Sequence, residues 1–242
     1  MLKVLFSLLK KIKNIIGYYK KYFAFKKIND NRFETSYKNR KLCLGEASQT
    51  TGFDSHYLYH TSWAARVLAE TKPLKHYDIG SCLRFATIVS AFLPIHYYDF
   101  RPPKIHLSNL EIDHADITSL PFNDNSIKSI SCMHVLEHIG LGRYGDKIDP
   151  QGDLKGVNEL TRVLKNNGGQ LLIVIPISGE PRIEFNAHRI YSYDMLINMF
   201  SGLNLVEFSL FSENSNELII NASRQQANKE KYGCGCFYFI KG

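Results

Sequence analysis

Acidic residues are missing from the first 28 positions of this chain, cysteine is sparse, tryptophan occurs once, and no uncharged apolar run is long. Each absence removes a class of answers. Five cysteines, at positions 43, 82, 132, 234 and 236, are too few and too irregular for a small-domain disulfide framework, and an odd number leaves one unpaired. A reducing, cytoplasmic compartment is the simpler expectation. No uncharged stretch reaches the ~18 residues of a membrane span, and no small-residue cleavage site follows a compact apolar core, so neither a transmembrane helix nor a typical signal peptide is expected. The formal charge of +7 would suggest a nucleic-acid surface if it were spread over the molecule. Instead, residues 1–28 hold eight lysines, and the rest of the chain carries 22 basic against 23 acidic residues. General nucleic-acid binding is therefore not expected.

What is present begins with that lysine-rich segment. Leu2, Leu5, Leu8, Leu9, Ile12, Ile15, Ile16, Tyr19, Tyr22 and Phe23 recur at spacings of three and four, which predicts an amphipathic helix within a segment 1–35. Two readings stand side by side. The helix lies on an anionic membrane surface with Lys10, Lys11, Lys13, Lys20 and Lys21 toward the headgroups, or it packs on the domain with a solvated lysine face. A polar stretch with Asn29, Asp30, Asn31, Gly45 and Gly52 reads as a lead-in within 36–75. Order returns at Asp54 or Ser55, which can cap a helix running to just before Pro73, whose Tyr57, Tyr59 and Trp63 either line an adenine or substrate pocket or form its apolar packing face, the latter being the expectation for Trp63.

The remainder is one domain, 76–225, followed by a tail, 226–242. Tyr77 and Ile79 form a short strand that runs into Gly80, where a missing side chain allows close backbone approach to a ligand. After a helix, a second strand ends in Asp99, 21 positions beyond Asp78, which is where a doubly wound sheet places a carboxylate for a ribose. Further strands are expected at 110–115, 127–133 and 170–175, the last continuously apolar as a strand buried on both faces is. A helix over 153–164 stops at Asn166-Asn167-Gly168-Gly169. One more helix, 191–200, and two last strands, 203–210 and 217–221, form an antiparallel edge hairpin. Strands alternating with helices predict an α/β, Rossmann-like, doubly wound and mainly parallel seven-stranded sheet, preceded by the amphipathic helix.

Strand four with Glu137-His138, and the later Asn158-Glu159-Leu160-Thr161-Arg162-Val163-Leu164-Lys165 leading to Gly168-Gly169, resemble the class I S-adenosylmethionine-dependent methyltransferases over about residues 76–211. Within that superfamily the runs His134–Asp149 and Phe185–Tyr191, with the lead-in 53–66, resemble a methyltransferase-like family of unknown function. The resemblance implies S-adenosylmethionine as cofactor, with Gly80 at its methionine end, Asp99 on its ribose, Asp116 with Ile117 framing its adenine, and Asp78 also among the cofactor-binding residues. It also brings His134 to His138 beside the reacting methyl. The chain departs from the superfamily at Cys82 and Arg84, which stand where glycines are usual.

Little chemistry is asked of the protein, because a sulfonium methyl is already electrophilic and alignment supplies much of the acceleration. Should the acceptor be a hydroxyl or a protonated amine, His134, Glu137, His138 and His188 are the candidate bases. Tyr144, Asp146 and Asp149 lie in a glycine-bearing loop long enough to act as a lid. Arg189 could clamp an anionic substrate or serve in a structural ion pair. Cys234-Gly235-Cys236 is one pair with no second pair nearby, so no metal is expected, and small buried thiols on a tail strand fit better. Two functions are carried forward: a methyltransferase acting on a small-molecule or glycan-related acceptor, and a non-catalytic methyltransferase-like binding or scaffold protein whose cofactor site Cys82 and Arg84 have closed.

Overall fold

The computed structural model describes residues 2–29 and 32–242, with side chains from residue 5 onward in the first helix. Asp30 and Asn31 of the expected lead-in, and the Leu2 side chain of the apolar stripe, lie outside the described residues. Two compact units divide at Phe53 and Asp54. The first holds the long helix α1, Leu2–Ile28, and a 3-10 turn at Tyr37–Asn39. Leu5, Leu9, Ile12 and Ile16 of α1 are each about half exposed. Among the described residues, no helix is long and apolar enough to cross a membrane.

The second unit runs in order through α2 (Ser55–Thr71), β1 (His76–Ile79), α3 (Leu83–Val89), β2 (Ile95–Asp99), β3 (Leu110–His114) and β4 (Ser129–Met133). It continues with α4 (Gly152–Val163), β5 (Gly169–Ile177), β6 (Arg182–Glu184), β7 (His188–Ile190), α5 (Tyr193–Met199), β8 (Asn204–Ser212), β9 (Glu217–Ile219), α6 (Arg224–Ala227) and β10 (Gly233–Lys241). The start of α2 is fixed by Asp54, whose carboxylate accepts from the Tyr57 N–H at 3.2 Å. The turn after α4 is left-handed at both Asn167 and Gly168.

One sheet of eight strands, in the order β3-β2-β1-β4-β5-β10-β8-β9, organises the unit. The strands β3, β2, β1, β4 and β5 pair in parallel, while β10 runs antiparallel between β5 and β8. The expectation of seven strands is corrected by β10, which falls in the segment read as a tail. Its side chains alternate: Cys234 and Cys236 enter the apolar cluster of α2 and α3, whereas Phe237 and Phe239 enter the opposite cluster with α4 and α5. A segment apolar on both faces belongs inside a sheet, and so it takes the place beside β5. The expected boundaries at 76 and 225 differ for the same reason, since α2 and β10 pack into the unit that spans Asp54–Gly242. The anticipated edge hairpin is β8–β9. A small β6–β7 hairpin lies outside the main sheet.

Strand β5 is buried along its whole length. Leu171, Ile173 and Ile175 face one cluster and Leu172 and Val174 the other, so helices on both faces leave only the strand ends open for function.

Candidate functional site

The parallel strands β1 to β4 deliver their carboxyl ends to one edge, and a cavity of about 600 Å³ opens there. Its lining includes Gly80, Asp99, Asp116 and Ile117, four of the five residues expected to bind a cofactor. Gly80 has φ +65°, a conformation suited to glycine, and a Cβ added to it would stand 3.2 Å from a Val135 methyl. Asp99 is oriented from both sides: Oδ1 accepts from the Arg101 N–H at 2.7 Å and Oδ2 from the Tyr97 hydroxyl at 2.9 Å. Asp116 Oδ1 accepts from the Thr118 N–H and hydroxyl, each at 2.8 Å. Beside it, Ile117 presents a buried apolar wall.

A second cavity of about 300 Å³ adjoins the first and shares Tyr57, His134, His138 and Tyr144 with it. All four expected base candidates line this space: His134, Glu137, His138 and His188. His134 follows β4 with φ +57°, a left-handed bend. Its Nδ1 lies 2.8 Å from Oε1 of Glu137, a carboxylate only 1% exposed whose Oε2 has no hydrogen-bond partner. Nε2 of the same ring faces Cys234 Sγ at 3.5 Å. Burial disfavours the imidazolium, yet Cys234 and Glu137 together raise the His134 pKa to about 10. The Cys234 thiol is held well below its ordinary value: burial opposes this, but Cys236, His134 and His56 outweigh it.

His138 Nδ1 points to the Ala187 carbonyl at 2.7 Å, which assigns the proton to that nitrogen and a lone pair to Nε2. Desolvation lowers its pKa, so it is neutral near pH 7. His188 Nε2 is buried without a hydrogen-bond partner and sits 3.7 Å from Glu184 Oε2.

Several expectations change. Asp78 is not among the cavity's lining residues; it is fully buried beneath the strand ends, where it accepts from Ser131 Oγ. Burial raises its carboxyl pKa to about 7. It belongs to a polar chain in which Ser131 and Ser129 flank both nitrogens of buried His76, at 2.9 and 2.7 Å. Of the two readings of Arg189 the structural ion pair holds and the substrate clamp does not: it is 6% exposed, its Nε lies 3.7 Å from Asp153 Oδ2, and it donates to the carbonyls of Ile139 at 2.6 Å and Pro150 at 3.4 Å. It thereby ties together the two ends of the 140–149 loop. That loop covers the first cavity and is ordered by Asp146, which accepts from the Gly140, Gly142 and Tyr144 N–H groups. Cys82 lines the large cavity without filling it, and Arg84 is exposed outside it, so neither has closed the site. Trp63 is buried as expected, donating to Glu207 at 2.7 Å.

Sequence reasoning passed over His56 as a site residue, and it considered Cys234 only together with Cys236. No local spacing could have signalled them, because His134 and Cys234 are 100 positions apart.

The strand order defines a fold, and solved structures share it. The fold is similar to that of the YcgJ protein from Bacillus subtilis, at 16% identity and a TM-score of 0.52 over 76% of this chain and 98% of that one. A putative sarcosine dimethylglycine methyltransferase from Galdieria sulphuraria is similar to the same degree, at 16% identity and 0.52 over 76% of this chain and 86% of that one. So is a putative methyltransferase from Haloferax volcanii, solved in complex with a methyltransferase activator, at 14% and 0.51 over 75% and 88%. The architecture is thus the fold of the class I S-adenosylmethionine-dependent methyltransferases. Residues 110–234, over half of the chain, match the family described as "Caenorhabditis protein of unknown function, DUF268", and the chain belongs to that family. An uncharacterized protein of Methanocaldococcus jannaschii is 32% identical over 87 residues, or 36% of this chain. The match spans about a third of that curated relative, 33% of its length.

Proposed function

We propose that the chain is an S-adenosylmethionine-dependent methyltransferase, with the cofactor in the larger cavity and the acceptor in the smaller. One observation carries this reading: Gly80, Asp99, Asp116 and Ile117, from three separate strand ends, line a single cavity of about 600 Å³, within the range of cofactor sites. The residues fit the cofactor. Asp99 keeps lone pairs free on both oxygens for vicinal hydroxyls, and Gly80 offers bare backbone to the methionine end. When bound, S-adenosylmethionine supplies an electrophilic methyl group.

The chain's own residues then position and deprotonate. His138 lines both cavities and has an Nε2 lone pair able to take a proton from an acceptor hydroxyl or ammonium. Glu137 holds the His134 ring by its Nδ1, and Tyr57 and Tyr144 wall the passage between the cavities. The smaller cavity is rich in hydrogen-bonding groups, among them Arg143, His188, Glu213 and Tyr232, which suits a polar, glycan-related acceptor. Residues 1–28 attach the chain peripherally to an anionic membrane face; the exposed Leu5, Leu9, Ile12 and Ile16, interleaved with lysines, support this. The test of the central reading is calorimetric titration with S-adenosylmethionine and S-adenosylhomocysteine. Saturable heat for both is expected, and no binding of either would leave the methyltransferase-like scaffold reading in its place.

A further inference from the structure

At the sheet edge, beside the cofactor cavity, three side chains from remote parts of the chain converge: His56 from α2, His134 after β4, and Cys234 from β10. The antiparallel course of β10 is what makes this meeting occur. Because β10 runs against β5, its first residues lie at the carboxyl edge, with Cys234 opposite Pro176, while the His134 N–H bonds to the Val174 carbonyl on the same strand. One ligand atom from each of the three residues lies within 4.8 Å of the others.

We propose that His56, His134 and Cys234 bind a zinc-class divalent metal ion. Two imidazoles and one thiolate form the donor set that borderline-soft transition metals favour, and three protein ligands leave a fourth position for a water or a substrate atom. The separation of the two inner ligands is already that of a coordinated pair. An ion held tetrahedrally at about 2.1 Å from nitrogen and about 2.3 Å from sulfur spans roughly 3.6 Å between those atoms, and His134 Nε2 stands 3.5 Å from Cys234 Sγ. The supporting partner is also in place. His134 Nδ1 is bonded to Glu137 Oε1 at 2.8 Å, so the carboxylate holds the Nδ1 proton while Nε2, on giving up its own proton to an arriving cation, is the nitrogen aimed at the ion, the carboxylate–histidine arrangement typical of metal sites. Cys236 is the neighbouring buried thiol, yet it is not a member of the group. Since His56 and His134 also line the smaller cavity, an ion they hold is reached from that cavity. On the methyltransferase reading it would offer its open position to an oxygen, nitrogen or sulfur atom of the acceptor; the metal site itself does not depend on that reading.

The test uses the full chain, stripped with a chelator and titrated with zinc by calorimetry, then with cobalt followed by absorbance. One equivalent of zinc should bind, and cobalt should give the near-ultraviolet charge-transfer band of a thiolate ligand. Cys234→Ser should abolish that band, whereas Cys236→Ser should keep it. Glu137→Gln, with the first-rank ligands intact, should weaken zinc about 10- to 100-fold. Should Cys234→Ser fail to fold, His56→Ala decides, because its residue is near the surface and zinc should raise the melting temperature of wild type but far less that of the variant. The proposal is overturned if the stripped wild type binds no zinc, if cobalt binds without the charge-transfer band, or if Cys234→Ser or His56→Ala binds as wild type. Cofactor titrations run on the same samples separate this outcome from any failure of the methyltransferase reading.

Discussion

Replacing Asp99 by alanine isolates the contact on which the cofactor reading leans most. In the structure each carboxylate oxygen receives one internal bond, from Arg101 N–H at 2.7 Å and from the Tyr97 hydroxyl at 2.9 Å. A carboxylate offers about four lone-pair sites, so one on each oxygen is left for the two ribose hydroxyls. A hydrogen bond to a charged group contributes about 1.5–3 kcal/mol. Water can partly replace the lost partner in this half-buried site, so the loss for the pair should be near that of one such bond, a roughly 10- to 150-fold rise in Kd. Folding should change little. The Tyr97 hydroxyl keeps a second acceptor in the Ser81 carbonyl at 3.1 Å, so the substitution strands no buried donor there. Calorimetry with S-adenosylhomocysteine, paired with denaturant melts of both proteins, separates affinity from stability. Asp99→Ala binding within about twofold of wild type would refute the placement of the ribose, and a stability loss matching the affinity loss would refute the role assigned to the side chain.

Other consequences are as concrete. Burial holds His76 neutral, with its pKa lowered to about 3, and raises Asp78 to about 7; the unfolded chain takes up a proton at the first site as pH falls below 6.5, and the folded chain takes one up at the second. The two trends oppose, so the joint contribution of the pair to stability should stay level between about pH 6.5 and 4, whereas relative to wild type Asp78→Asn should lose about 1.4 kcal/mol per pH unit on acidification and His76→Gln should gain as much; urea melts of all three proteins across that window check both signs. Gly140→Ala, at φ +79° with the Asp149 carbonyl where a Cβ would go, should cost about 2–4 kcal/mol and weaken cofactor binding by loosening the loop over the cavity, as thermal melts and calorimetry would reveal. Deleting residues 1–28 should abolish co-sedimentation with anionic liposomes at low salt; equal binding by the shortened and full chains would contradict the membrane role.

The succession of strands and helices was legible because burial imposes a period on local sequence. The uninterrupted apolar run 171–175 pointed to a central strand, and the glycine after Ile79 and the acid ending β2 marked positions that line the larger cavity. Cys234 was harder, since nothing in Cys-Gly-Cys tells whether a strand joins the sheet at its edge or in its middle. That choice was made by competition among strands for the place beside β5, where both faces of β10 could be buried at once.

The chemistry divides along the same line. By itself the sequence determined that a Rossmann-like sheet would form, that Gly80, Asp99 and Asp116 would reach its carboxyl edge, and that the N-terminal helix would be basic on one side. Tertiary structure alone decided that Asp78 turns inward to Ser131, that Arg189 fastens a loop, and that His56 and Cys234 meet His134. Periodicity and turn chemistry act over a few residues and can be read from them. Which side chains face one another across 100 positions depends instead on strand order and direction, and these are settled only when the whole core packs.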